Sequence, residues 1–205
     1  VGALEIAARA LEAGKSLRLV TEFDPTLTQA QLLTVKPLLY VANVSEDEVS
    51  ADPETATSGY LGELAQLAKE QGTEVVVISG KVESEISQLD LEERKAFLED
   101  MGLTESGLDR LAHKGYKLLK LITFFTAGEK ETHAWTCASG SRAPQAAGKI
   151  HTDFEKGFIR AEITSYDDYV ACGGEQGAKD KGRTRIEGKE YIVADGDIVH
   201  FRFNV

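Results

Sequence analysis

Cysteine, basic residues and long apolar runs are all scarce in this 205-residue chain, and each scarcity removes a class of function. Its two cysteines, Cys137 and Cys172, stand 35 positions apart with no CxxC and no neighbouring histidine pair. That spacing suggests neither a zinc site nor a disulfide framework, so free thiols, buried or half-buried, are expected. No stretch approaches the roughly 20 apolar residues that cross a bilayer. The opening Val1-Gly-Ala-Leu-Glu5 has neither the basic region nor the apolar run of a signal peptide. A cytoplasmic location without a membrane partner is the expectation. Lys and Arg number 23 against 34 Asp and Glu, a net charge of −11. Residues 1–120 hold 12 basic against 21 acidic side chains, and residues 121–205 hold 11 against 13, so the acidity lies in the first part. Phosphate contacts need Lys and Arg, which argues against broad nucleic-acid binding there, DNA included.

Several catalytic patterns are missing too. A phosphate cradle reads GxxxxGK[ST] between a strand and a helix. Gly14-Lys15-Ser16 imitates its end, but Arg9 stands where the first glycine belongs and a helical pattern precedes it, so Gly14 reads as a helix stop. No Asp-x-x-Gly, the usual γ-phosphate sensor of GTPase-like proteins, occurs anywhere, and no serine has a Gly-x-Ser-x-Gly setting. His133, His151 and His200 lack ligand spacing and are read as surface or hydrogen-bonded residues. The 42% hydrophobic content is nonetheless enough for a real core.

Apolar periodicity places helices and strands in turn. Leu4, Ala7, Ala8 and Leu11 predict an opening helix, and Thr26–Thr34 a second, short one. Leu38–Ala42 predicts a central parallel strand. Residues 59–71 carry Leu61, Leu64, Ala65 and Ala68 on one helical face with Gly72 as the stop, and about Glu74–Ile78 predicts the next strand. This is a βαβ unit. Helices follow over Val82–Leu89, Leu91–Met101 and Glu105–Leu119, the last with Leu108, Leu111, Ala112 and Leu118 available for packing. The period then changes from 3.6 to 2, which sets a domain boundary near residue 120. Beyond it come strands at Ile122–Gly128, Thr132–Cys137 and Phe158–Thr164, and short helices from Pro144 and from Tyr166. Two further strands are expected around Asp195-Gly196, an Asp-Gly pair being a hairpin signal. Trp135, Phe124 and Phe125 read as core of this β domain in preference to a base-stacking platform.

The strongest functional pattern is Lys36-Pro-Leu-Leu-Tyr-Val-Ala-Asn-Val-Ser-Glu46, a strand that ends in an amide and a carboxylate three residues apart. Ligands of doubly wound sheets sit at the carboxyl ends of such strands, and Val75-Val-Val-Ile-Ser-Gly80 ends in a second small polar turn. Asn43 and Glu46 have the layout of a purine-base reader. A carboxylate suits the two adjacent donors of guanine. Adenine has an acceptor, N1, beside its amino group, so the Asn43 amide or the Val44 backbone would have to complement it. The competing reading is an Asn cap and an exposed Glu. In the last part, Lys179, Lys181, Arg183, Arg185 and Lys189 cluster among glycines, as a solvated loop or as a contact to RNA or the ribosome.

At Lys36–Glu46, Phe124-Phe-Thr-Ala-Gly128, Ala134-Trp135, the block Ala143-Pro-Gln-Ala-Ala-Gly-Lys-Ile-His-Thr-Asp-Phe-Glu-Lys-Gly-Phe-Ile-Arg-Ala161 and Tyr191–Val205, the chain closely resembles the YchF/Obg-like ATPase family. The resemblance covers nearly everything from about residue 30. It implies the tail of a helical, coiled-coil arm over residues 1–30, the C-terminal half of a P-loop NTPase-type α/β domain over 31–120, and a β-grasp TGS domain over 121–205. Asn43-Val-Ser-Glu46 then corresponds to the family's altered base-recognition motif, and Ser79-Gly80 to the turn whose backbone supports the base. The resemblance further implies ATP, bound in preference to GTP, with Mg²⁺ in the intact protein, and the ribosome as partner. A P-loop is expected to precede Val1, so these 205 residues are expected to hold no cofactor and to be inactive alone. The alternative is a nucleotide-independent TGS adaptor that binds the ribosome, RNA or a protein.

Overall fold

The computed structural model describes residues 2–24, 32–128 and 131–204, and the chain divides into two units, Val1–Leu118 and Leu119–Val205. In the first unit, α1 (Gly2–Glu12) is followed by a 3₁₀ turn at Leu17–Leu19. The buried row of α1 differs from the expected one. Ala7 and Ala10 are inside with Ala3 and Ile6 beside them, whereas Leu4 is 65% exposed and Leu11 also faces solvent. Positions 3, 6, 7 and 10 form a helical row as good as 4, 7, 8 and 11, and the small cluster around Leu17 and Phe23 covers only one of them. The helix expected over Thr26–Thr34 lies mostly outside the described residues; after them comes a single 3₁₀ turn, Leu33–Val35.

Strands β1 (Tyr40–Asn43) and β2 (Val75–Ile78) pair in parallel from Tyr40↔Val75 to Asn43↔Ile78, and α2 (Gly59–Glu70) forms the crossover between them. Ala68 is buried, with Leu61, Leu64 and Ala65 half-buried beside it, and Gly72 adopts φ +61° as the helix stop requires. β1 is not the buried central strand that its apolar run suggests. Among the described residues it pairs with β2 alone, and half-buried and exposed side chains alternate along it. It also starts two residues later than Leu38 and takes in Asn43. Helices α3 (Gly80–Ile86), α4 (Leu91–Asp100) and α5 (Gly107–Leu118) follow. α4 opens with a capping box, Asp90 accepting from Glu92 and Glu93 N–H while Glu93 accepts from Asp90 N–H. Val49, Val82, Ile86, Leu98 and Leu103 form a small core around α3 and α4. On α5 the expected packing residues Leu108 and Ala112 are exposed, and the buried position is Gly107. Leu111 and Leu118, also expected to pack, are half-buried, and polar side chains of α5 reach β2: Arg110 bonds the Val77 carbonyl and Lys114 bonds Glu74.

The second unit is a five-stranded mixed sheet in the order β4-β3-β7-β5-β6. β3 (Leu121–Ala127) and β4 (Thr132–Ala138) form an antiparallel pair, and β5 (Phe158–Ser165) lies antiparallel to both β6 (Arg185–Glu187) and β7 (Asp197–Phe203). The hairpin expected around Asp195-Gly196 does not form. β7 runs parallel to β3 and antiparallel to β5, while Tyr191–Ala194 leaves the sheet and makes one isolated bridge, Ile192 to Arg142. The Asp-Gly turn is held instead by β3: Thr123 N–H donates to Asp195 Oδ1 at 2.7 Å, and Gly196 N–H donates to the Thr123 carbonyl at 2.8 Å. Helix α6 (Ala143–Ile150), with Pro144 in its first turn, packs Ala143, Ala146 and Ala147 onto the sheet without side-chain bulk to hold it off. These alanines join Phe124, Cys137, Phe158, Ala161, Ile163, Val193, Val199 and Phe201 in one core. Short helices α7 (Thr152–Lys156), α8 (Tyr166–Ala171) and α9 (Glu175–Asp180) complete the unit. Both cysteines are free thiols, Cys137 buried and Cys172 half-buried.

Candidate functional site

At the carboxyl ends of β1 and β2 three bonds tie the two strand ends together. Val44 N–H donates to the Ile78 carbonyl at 2.9 Å and extends the parallel ladder past Asn43. Gly80 N–H donates to Asn43 Oδ1 at 2.9 Å, so the Asn43 amide bridges to the first residue of α3. Lys81 Nζ lies 2.6 Å from Glu46 Oε2, which draws the carboxylate toward the same helix. Ser79, between β2 and α3, is buried, while Asn43, Glu46, Gly80 and Lys81 face solvent. The structure thus brings Asn43, Val44, Glu46, Ser79 and Gly80 together at the ends of the two strands.

Lys81 is the residue the sequence reading missed. It follows Ser79-Gly80 directly, and its place one turn before Glu85 is the signal that could have raised it. The Glu46 carboxylate, hydrogen-bonded to its ammonium, raises the Lys81 pKa above the usual lysine value, and Glu85 at 3.9 Å adds to this. One donor counted on for adenine is not available, because Val44 N–H is engaged by Ile78. Asn43 keeps its NH₂ as a donor, and its oxygen is engaged by Gly80.

Polar contacts from α5 hold β2 and α3. Arg110 of α5 donates to the Val77 carbonyl at 3.0 Å, and Gly107 N–H donates to Glu83 Oε1 of α3 at 2.7 Å. Glu74, at the start of β2, is bonded by Lys114 and Lys117, and their ammonium groups lower its pKa below the usual carboxylate value. A Cβ at Gly107 would press on Ile78, so glycine permits the close approach of α5 to β2.

The basic cluster of the second unit is largely engaged in local contacts. Lys179 lies 2.6 Å from Glu175 and 3.1 Å from Glu162. Arg183 faces Asp168 at 3.7 Å, and Arg185 sits over the Tyr191 ring. Lys181 and Lys189 form no ion pair among the described residues. Glu162, 13% exposed, takes Arg202 on one oxygen and Lys179 on the other, which lowers its pKa to about 2. Burial and the hydrogen bond to Asp197 raise the Tyr191 hydroxyl to about 12. The histidines have local roles: His151 Nδ1 accepts from Asp153 N–H at the start of α7, and the His133 ring lies 4.2 Å from that of Trp135, tilted by 38°.

Residues 121–204 match the protein-family model described as YchF-GTPase_C, a protein of unknown function (DUF933). Over 191 residues, 93% of the chain, it is 52% identical to the ribosome-binding ATPase YchF of Bacillus subtilis (strain 168) and 49% identical to that of Escherichia coli O157:H7. It covers 51% of each, so the chain spans about half the length of the curated relatives it matches. Among solved structures, the YchF GTPase of Schizosaccharomyces pombe is similar over 97% of the chain and 53% of its own, with 31% identity and a TM-score of 0.79. A GTP-binding protein from Pyrococcus horikoshii OT3, 18% identical with a TM-score of 0.54, covers the whole chain and 57% of its own, and shares the fold.

Proposed function

The chain belongs to the YchF family over the stretch matched, and from that premise we propose that it carries the base-recognition half of the nucleotide site of a ribosome-associated, cytoplasmic ATP-binding protein. The observation that carries this reading is the Gly80 N–H to Asn43 Oδ1 bond at 2.9 Å, which locks the amide across the ends of two parallel strands. Ligands of open α/β sheets collect at this place. Asn43 presents its NH₂ to the purine, Glu46 its remaining carboxylate oxygen and Val44 its carbonyl, and Ser79-Gly80 forms the floor. The relatives' names supply ATP and the ribosome. GTP is supplied by the name of the Schizosaccharomyces pombe relative, and its place as the weaker ligand is what the family resemblance implies.

Hydrolysis in this proposal belongs to the whole protein. Phosphoryl transfer depends on positioning and charge stabilisation around the phosphates, and the sequence contains no GxxxxGK[ST] cradle. Mg²⁺ goes with the phosphates: among the described residues no group of three or more His, Cys, Asp or Glu converges to hold a metal. The part this chain plays is to bind and orient the base. The second unit, a helix packed across a mixed five-stranded sheet, is read as a β-grasp TGS domain that faces the ribosome or its RNA. A calorimetric titration of ATP into the whole protein that carries this sequence tests the site. Asn43→Ala removes both the strut and the donor, with an expected loss of about tenfold in affinity, roughly 1.4 kcal/mol. Unchanged affinity would overturn the reading.

A second reading, the nucleotide-independent adaptor, has a narrower footing. Of its five proposed cations, Lys179, Arg183 and Arg185 are engaged in local contacts, and Lys181 and Lys189 form no ion pair among the described residues, so an electrostatic contact there involves few phosphates.

A further inference from the structure

Adenine and guanine differ along the edge that a purine site reads. Guanine presents two adjacent donors, N1–H and the 2-amino group, whereas adenine presents one donor, the 6-amino group, beside an acceptor, N1. A lone carboxylate matches the first and repels N1 of the second. Glu46 is not a lone carboxylate in this structure. Its Oε2 is bonded by Lys81 Nζ at 2.6 Å, which leaves Oε1 as the free acceptor. The ammonium has three N–H donors; beyond Glu46 its nearest carboxylate is Glu85, at 3.9 Å. Val44 N–H, the backbone donor that could have met N1, is engaged by the Ile78 carbonyl. The crevice is therefore left with two side-chain donors, Asn43 NH₂ and Lys81, around one carboxylate oxygen.

We propose that Lys81 is a specificity-determining residue and that Glu46 and Lys81 read the base as one unit: Glu46 Oε1 accepts from the 6-amino group of adenine while the Lys81 ammonium donates to N1. The proposal rests on the reading of this crevice as a purine site. The same pair sets a cation against N1–H of guanine, so it rejects guanine by a mismatch as well as favouring adenine by a match. Lys81 and Glu46 are 67% and 43% exposed, within reach of a ligand from solvent and outside the core.

The test is a calorimetric comparison of ATP and GTP binding by the whole protein and its Lys81→Met, Lys81→Arg and Asn43→Ala variants, each checked by thermal melting. Lys81→Met keeps the aliphatic stem and deletes the donors. It is expected to lower the ratio of ATP to GTP affinity by about tenfold, the scale at which one unpaired polar group discriminates, with GTP unchanged or tighter. Lys81→Arg restores a donor and is expected to recover most of the ratio. An unchanged ratio in Lys81→Met, or an equal loss for both nucleotides, overturns the proposal, since Lys81 then only orders the loop. If that happens while Asn43→Ala weakens both nucleotides, the purine site stands without Lys81. If Asn43→Ala moves neither, the purine site falls and the proposal with it.

Discussion

The two oxygens of Glu162 are held by different cations, Arg202 at 2.8 Å and Lys179 at 3.1 Å, on the face of β5 beneath α9. Its pKa falls from the ordinary 4.5 to about 2, chiefly through the Arg202 hydrogen bond and then through Lys179. A folded-state value below the unfolded one means that the stabilisation is complete above pH 4.5 and is lost as pH falls toward 2. A shift of this size is worth at most about 3 kcal/mol. Half-exposed partners reduce that to about 1–2 kcal/mol. Acid unfolding followed by circular dichroism should show this loss in the parent protein, and Glu162→Gln should flatten the curve over that window while lowering stability at pH 7. Lys179 therefore has structural work in the fold, and Lys179→Ala is expected to lower melting temperature more than it lowers RNA affinity.

Between α7 and β5 the chain turns through Gly157, whose carbonyl accepts from Asn204 N–H at 2.9 Å. A Cβ at this position would overlap the Asn204 carbonyl oxygen, a backbone atom with no room to yield. Gly157→Ala is expected to cost about 2 kcal/mol or more, because the end of β7 must move away from β5. A urea titration would measure it, and a cost below about 0.5 kcal/mol would refute the close approach. The same element shows how local signals are overruled. Asp195-Gly196 has the composition of a hairpin turn, and Gly196 does adopt φ +80°. Yet Gly196 N–H donates to the Thr123 carbonyl of β3, the Asp195 carboxylate accepts from Thr123 N–H, and β7 finds its partners in β3 and β5. A turn residue states only that the chain bends; which strand receives the next segment depends on packing of Val199 and Phe201 against Phe124 and Phe158.

The two units differ in what supports them. Among the described residues, 119–205 enclose one cluster of eleven buried apolar residues beside a five-stranded sheet, whereas 1–118 hold two smaller clusters, of five and four, and a two-stranded sheet. Expressed alone, residues 119–205 are expected to unfold cooperatively, as a contiguous core under a sheet allows, and residues 1–118 to melt with a weak, broad transition. Differential scanning calorimetry of the two segments distinguishes these outcomes. If the second unit binds RNA through Lys181 and Lys189, Lys181→Ala with Lys189→Ala should reduce the magnitude of the slope of log affinity against log salt by about two, since each phosphate contact contributes about one. An unchanged slope would move the contact elsewhere.

Much of this was legible in the amino-acid order. Period and punctuation located α2, α4, α6, α8 and most strands, because helix stops such as Gly72 and the 3.6-to-2 change at residue 120 are local facts. Asn43, Glu46 and Ser79-Gly80 could be singled out because strand ends gather ligands. Tertiary structure alone decided which of two apolar rows of α1 is buried, since both have helical spacing and the choice depends on where Leu17 and Phe23 lie. It also decided that β7 joins β3 and β5, and that Val44 N–H is engaged and Lys81 stands beside Glu46. These last are contacts between residues 32 or more positions apart, and no periodicity along the chain encodes them.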